Sequence, residues 1–136
     1  MKTKDILSIA LAFLAMTAGA QDIAQVTLSW NESRIQDMTV GEFSDAKSTL
    51  ITYGKTKVEL KSFDGSLRWA LEVVETIGAW TNVNTIGTIT YEVKGEGGNG
   101  TLTFLRDTTG AKARLLLVNE AGPEVTEYML STFVVQ

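Results

Sequence analysis

The side chains that most often carry out chemistry in proteins are scarce in this chain. It has 136 residues, and none of them is a histidine or a cysteine. Nucleophilic centres built on Ser-His or Cys-His pairs are therefore excluded, as are zinc sites built on imidazole or thiolate ligands. Disulfide bonds are excluded as well, so packing and hydrogen bonds must hold the fold together.

Carboxylates are the reactive groups that remain, and their spacing does not favour catalysis. Glycoside hydrolysis needs two carboxyl groups that face each other across the bond to be cleaved. Glu72 and Glu75 lie three residues apart in a predicted strand, which puts them on opposite faces. Glu124 and Glu127 flank a predicted turn and are interpreted as solvated charges. The sequence predicts no enzyme, no metal site and no cofactor.

Aromatic side chains are the best candidates for contacts with a ligand. Trp69, Tyr91, Phe104 and Tyr128 fall on the apolar faces of predicted strands. They are predicted to line a cavity if the protein has one, and to fill the core otherwise. Trp80 lies in a predicted loop, where it would either fold back on the core as a lid or form an exposed contact.

The elements that would position these aromatic residues are β-strands. Apolar and polar residues alternate with a period of two through much of the chain, and a helical period is almost absent. The most distinct hairpin joins a strand at 56–63 to a strand that begins at Ser66, through Asp64-Gly65, a dipeptide that favours a type I′ turn. Further strands are predicted at 24–30, 47–53, 85–94, 101–106, 111–118 and 126–135.

The connections between these strands predict the topology. Most connections after residue 47 are short, which makes consecutive strands antiparallel neighbours in a meander of about eight strands. Closing the meander into an up-and-down barrel removes its two exposed edges, so an all-β barrel is the predicted fold. A β-sandwich is the alternative, with 31–46 and 77–84 as its crossovers. Within the segment 31–46, residues 33–38 are predicted as a short helical turn or an irregular loop. Elsewhere in the chain, residues 95–100 are predicted as a flexible hairpin loop.

The N-terminus has the pattern of an export signal. Lys2 and Lys4 form a short positive segment, and an apolar run follows at 6–16. Residues 17–20 are small and end in alanine, as signal peptidase requires before its cleavage point. The pattern predicts a secretory signal peptide that is cleaved before Gln21.

This signal divides the chain and predicts its compartment. Residues 1–20 are the cleaved signal peptide, and residues 21–136 form a single all-β domain. The protein is expected to be exported to the periplasm or to the extracellular space. The apolar run is shorter than the about 20 residues that a spanning helix needs, and no second such run follows it. No membrane span is therefore predicted after cleavage.

The charge balance argues against some classes of partner. The chain carries a net charge of −4, and its lysines and arginines are scattered rather than clustered. Nucleic acids and anionic membrane surfaces bind basic patches, so neither is a predicted partner. The sequence does not identify a protein partner.

In outline, the chain resembles the lipocalin-like proteins among the calycin barrels, exported members of which are common in Bacteroidota. The resemblance consists of a signal peptide ending at Ala20-Gln21, an early strand ending in Trp30, a short plug and a meander of strands. Lipocalins have a glycine two positions before this tryptophan, where the present chain has Leu28, and Arg114 is the candidate for the late arginine that packs on it. The resemblance implies a cavity for a small hydrophobic ligand. A structural or protein-interaction domain with a filled core is the alternative.

Overall fold

A computed structural model describes residues 22–38, 41–44 and 48–136. The predicted signal peptide and the residue after its cleavage point lie outside these described residues. No helix in the described part of the chain is long and apolar enough to cross a membrane. The described elements are a short 3-10 helix at Ile23–Gln25 and the strands β1 (Thr27–Asp37), β2 (Glu42–Ser44), β3 (Ser48–Tyr53), β4 (Lys57–Ser62), β5 (Leu67–Ile77), β6 (Gly87–Gly95), β7 (Gly98–Asp107), β8 (Gly110–Asn119) and β9 (Gly122–Val135).

Eight of these strands form a closed antiparallel barrel. The order β1-β3-β4-β5-β6-β7-β8-β9 follows the chain except for β2, and β9 pairs with β1 to close the ring. The predicted up-and-down barrel is confirmed. The short strand β2 pairs with the end of β1 outside the ring, at Ile35–Asp37. The distal half of β1 therefore has β9 on one side and β2, rather than β3, on the other.

The period-two alternation of the sequence places the apolar side chains inside this barrel. In β6, Ile89, Tyr91 and Val93 are buried, while the threonines and charged residues between them lie on the outer face. Stripes of this kind on all strands of the ring meet at the barrel axis and fill it. The largest fully buried side chains are those of Trp30, Tyr91, Phe104, Leu28, Leu50, Ile89, Leu102, Val58 and Thr52.

The prediction of a helical turn or irregular loop at 33–38 is wrong. β1 runs on to Asp37 and pairs with β9 from Leu130 to Thr126, across two irregularities of register near Glu32. The predicted opening strand also begins too early, because 23–25 form the 3-10 helix. Hydrogen bonding to a strand from the far end of the chain outweighs the weak local preference for a turn.

Two hairpin turns also differ from their predicted form. Of Asp64 and Gly65, only the glycine has a positive φ, of 86°, so the turn is not type I′. The Ser62 carbonyl accepts from Gly65 N at 2.9 Å and Ser62 N donates to Ser66 O at 2.8 Å, which gives a three-residue loop with glycine in its left-handed position. The predicted loop at 95–100 is a two-residue turn, because Gly95 pairs with Gly98.

One end of the barrel is plugged by the 3-10 helix and by the connection between β5 and β6. Ile23, Ala24, Trp80 and Val83 are buried there. Ile23 N donates to the Trp80 carbonyl at 3.1 Å, and Arg106 Nε donates to the Val83 carbonyl at 2.7 Å. We refer to this as the plugged end, and to the end formed by the β4–β5, β6–β7 and β8–β9 turns as the opposite end.

Candidate functional site

A cleft of about 1120 Å³ runs along β5 towards the opposite end of the barrel. The end of the β3–β4 turn and the first residue of β4, at 55–57, border the cleft on one side, and 94–97 border it on the other. Sites for small organic molecules occupy roughly 300–1,000 Å³. The cleft is therefore large enough to hold such a molecule.

The cleft has an apolar wall. Leu67, Trp69, Leu71 and Leu117 line it. Leu67 is 55% exposed, Trp69 is half-buried, and Leu71 belongs to the buried core. Burying apolar surface of this kind contributes about 25 cal/mol per Å² removed from water. A small apolar molecule would gain free energy by covering Leu67 and the exposed part of Trp69.

Trp69 connects this cleft to the barrel interior. Its indole ring meets the ring of Tyr128 edge to face, with the two centroids 6.4 Å apart. Tyr128 is buried, and burial raises the pKa of its hydroxyl above the usual value. One ring edge of Trp69 is thus held by the core while the residue also lines the cleft.

A buried carboxyl group lies behind this pair and was not predicted from the sequence. Glu32 is only 5% exposed, and Ser48 Oγ donates a hydrogen bond to its Oε2. Within the described residues, its Oε1 has no hydrogen-bond partner. Burial raises the pKa of Glu32 to about 7, although the Ser48 bond and the charge of Arg68 act in the opposite direction. Leu28 and Trp30 are buried, and Glu32 is the next residue at the same spacing of two in β1. This alternation could have indicated from the sequence that Glu32 is buried.

The four predicted cavity-lining aromatics do not share one site. Only Trp69 lines the cleft. Tyr91 and Phe104 are packed in the core, with ring centroids 5.8 Å apart at an interplanar angle of 85°, and Tyr128 lies behind Trp69. Contact of any of these residues with a ligand stays a prediction.

Trp80 is folded back on the core at the plugged end. It is 3% exposed and stacks on Trp30 with a centroid distance of 6.3 Å. Its indole N–H donates to the Thr85 carbonyl at 3.1 Å, and a side chain at Gly87 would overlap its ring. Trp80 does not line the cleft, and its role as a lid or contact for a ligand stays a prediction.

Arg114 is not placed to pack on Trp30. It lies on the outer face of β8 and forms an ion pair of 2.9 Å with Glu127 of β9. The rings that surround Trp30 inside the barrel are those of Trp80, Phe104 and Phe133. The structure thus contradicts Arg114 as a counterpart of the lipocalin arginine.

The prediction that Glu72 and Glu75 face opposite sides of their strand is wrong. β5 has a register shift between Val73 and Glu75, so Glu72 pairs with Lys94 and Glu75 with Glu92. The extra residue brings both carboxylates to the exposed outer face. In the described ranges, no three acidic side chains lie close enough to hold a metal ion.

Comparison with known proteins adds no family assignment. No protein-family model matches the chain, and no curated protein and no solved structure matches it either.

Proposed function

We propose that this protein binds a small hydrophobic molecule in the cleft along β5, and that it is a carrier rather than an enzyme. The observation that carries the proposal is the half-buried Trp69 beside the exposed Leu67 in a cleft of about 1120 Å³. Large aromatic side chains that are partly exposed in a concavity are typical of small-molecule sites.

The arrangement around Trp69 supports this proposal. Its edge-to-face packing on the buried Tyr128 holds the indole, so the ring is ordered before a ligand arrives. A preformed apolar wall lowers the entropic cost of binding. The closed barrel also supports the lipocalin-like resemblance, which remains part of the proposal.

Binding can be tested with the neutral fluorophore N-phenyl-1-naphthylamine. We expect the purified protein to bind this probe at micromolar concentration, with an increase in probe emission. Leu67→Gln should weaken binding about threefold to tenfold, because it removes exposed apolar surface from the cleft wall.

Ile86→Gln is the matched control for Leu67→Gln. Ile86 is 70% exposed and lies next to the plugged end, outside the cleft. Its substitution should leave probe affinity unchanged. An equal loss of probe affinity in the two variants, or no binding of the probe by the wild-type protein, would contradict the proposal.

A structural or protein-interaction domain without a ligand is the second candidate function. The filled interior favours it, since Trp30, Tyr91 and Phe104 are each at most 1% exposed, and the rings of Trp30 and Tyr91 both pack on that of Phe104. This alternative predicts that the purified protein binds no probe.

Export is also part of the proposal. It depends on the signal pattern of residues 1–20. N-terminal sequencing of protein recovered from outside the cytoplasm should begin at Gln21. Recovery of the uncleaved chain from the cytoplasm would refute export.

A further inference from the structure

We propose that the ligand of this cleft is an amphiphile with a negatively charged group, held by the basic side chains of the cleft border while its apolar part covers Leu67 and Trp69. This inference rests on the proposed function and specifies the chemical class of the ligand. The supporting features are the distribution of charge, the pairing of the basic side chains and their position beside the apolar wall.

Charge is distributed unevenly between the cleft and the whole chain. Four basic residues line the cleft against two acidic ones, a local balance of +2. The chain as a whole has 12 basic and 16 acidic residues, so a third of its cations and an eighth of its acids meet here. A positive concavity on an acidic protein raises the local concentration of anions. The four basic residues are Lys55, Lys57, Arg68 and Lys94, and the two acidic ones are Glu72 and Glu96.

Two of these cations are available to a ligand. Lys94 lies 3.6 Å from Glu72, and Lys57 is shared between Glu59 at 3.7 Å and the ring of Tyr53 at 4.6 Å. Lys55 and Arg68 form no ion pair with any residue that the structure describes. Both are exposed, so binding an anion would require little rearrangement of existing contacts.

Arg68 combines this charge with the apolar wall. It stands between Leu67 and Trp69 in β5, and all three residues line the cleft. Its charge opposes the rise that burial causes in the pKa of Glu32 and of Tyr128, so its field extends to the interior behind Trp69. A guanidinium group can hold a carboxylate or sulfonate through two parallel hydrogen bonds. One molecule could therefore place its anion on Arg68 and its apolar part on the neighbouring side chains.

A matched pair of probes tests the charge requirement. 1-Anilinonaphthalene-8-sulfonate has the aromatic skeleton of N-phenyl-1-naphthylamine and adds one negative charge. We expect the purified protein to bind the sulfonate about tenfold more tightly at low salt, and this advantage to shrink as ionic strength rises. Decanoate should displace the bound sulfonate at lower concentration than 1-decanol does.

Three variants locate the effect. Lys55→Gln combined with Arg68→Gln should remove most of the preference for the sulfonate, measured as the ratio of its affinity to that of the neutral probe. Arg68→Lys, which keeps the charge, should retain part of the preference. Lys112→Gln on β8 removes one positive charge outside the cleft and should leave the preference intact.

The outcomes separate this inference from the proposed function. The inference on charge is overturned if the two probes bind equally. It is also overturned if the Lys112 variant loses as much of the preference for the sulfonate as the double variant does. In either case the cleft binds hydrophobic molecules regardless of their charge. If neither probe binds, the proposed function fails and the inference fails with it. Tighter binding of the sulfonate that the double variant abolishes supports both.

Discussion

Glu32 is a carboxyl group held in the barrel interior, an environment that its charged form disfavours. A carboxyl group transferred from water to an apolar interior is disfavoured in its charged form, and one hydrogen bond from Ser48 offsets this only in part. Its pKa of about 7 compares with a usual value of 4.5, so the folded protein holds this proton more tightly than the unfolded chain does. The group therefore links the stability of the barrel to pH near neutrality.

We expect the free energy of unfolding to fall as pH rises from 5 to 8. A raised pKa contributes stability that is fully present below the unfolded value of 4.5 and is lost as pH passes through the folded value of about 7. The full effect is of order 3 kcal/mol, because each tenfold difference in proton affinity between the two states corresponds to about 1.4 kcal/mol. Urea unfolding at each pH, followed by tryptophan fluorescence, measures it.

Glu32→Gln should flatten this pH dependence, because glutamine keeps a hydrogen-bonding partner for Ser48 and cannot ionise. Glu75→Gln, at an exposed position on the outer face, should leave the dependence in place. Glu59, Asp64 and Asp107 have lowered pKa values owing to hydrogen bonds from Tyr53, Ser66 and Thr109, so they titrate below this window. Equal slopes in the wild-type protein and the Glu32 variant would show that this carboxyl group does not govern the dependence.

At the scale of elements, close backbone contacts determine which residues the strands can tolerate. Gly100 lies inside β7 opposite Leu117, where β7 pairs with β8. A Cβ there would overlap the main-chain carbonyl of Leu116, and a backbone group cannot rotate away as a side chain can. Glycine at this position therefore permits the close approach of β8 to β7.

We expect Gly100→Ala to destabilise the protein by about 1–3 kcal/mol, the usual cost of inserting a methyl group where there is no room. Gly97→Ala is the matched control, because its nearest neighbour would be Leu117 Cδ1 at 3.6 Å, an ordinary van der Waals distance. The free energy of unfolding of the Gly97→Ala variant should stay within about 0.5 kcal/mol of the wild-type value. Thermal unfolding of the two variants side by side measures the difference, and equal midpoints would contradict the close contact.

At the scale of the whole molecule, closure of the ring ties both ends of the chain together. β1 pairs with β9 from Leu28 opposite Val135 to Asp37 opposite Thr126. Each strand of the ring has two neighbours, so the loss of any one of them breaks two hydrogen-bonded ladders. The plugged end and the opposite end should therefore unfold together.

The Trp69→Phe variant can test this coupling. Its remaining tryptophans, Trp30 and Trp80, stack on each other and report on the plugged end, whereas far-UV circular dichroism reports on the whole sheet. We expect the two signals to give the same urea midpoint within that variant. A fluorescence midpoint below the dichroism midpoint would show that the plugged end opens by itself.

The sequence alone predicted most strands of the ring and favoured their closure into a barrel over a sandwich. Alternation such as Ile89-Tyr91-Val93 and the turn residues near Gly65 and Gly95 act locally, so they predict hairpins, and a meander of hairpins avoids edges by closing. It also excluded chemistry that needs histidine or cysteine. Local signals reach no further than a strand and its turn.

The bulges, the buried carboxyl group and the cleft depend on contacts between residues that are far apart in the sequence. The extra residue in β5 brings Glu72 and Glu75 to one face, and Glu32 lies inside because β1 pairs with a strand from the far end of the chain. Trp69 was predicted in a strand and Trp80 in a loop, yet the strand residue lines the cleft and the loop residue is buried at the plugged end. Such differences arise from long-range packing, which determines the depth of a side chain, whereas alternation determines only the face on which it lies.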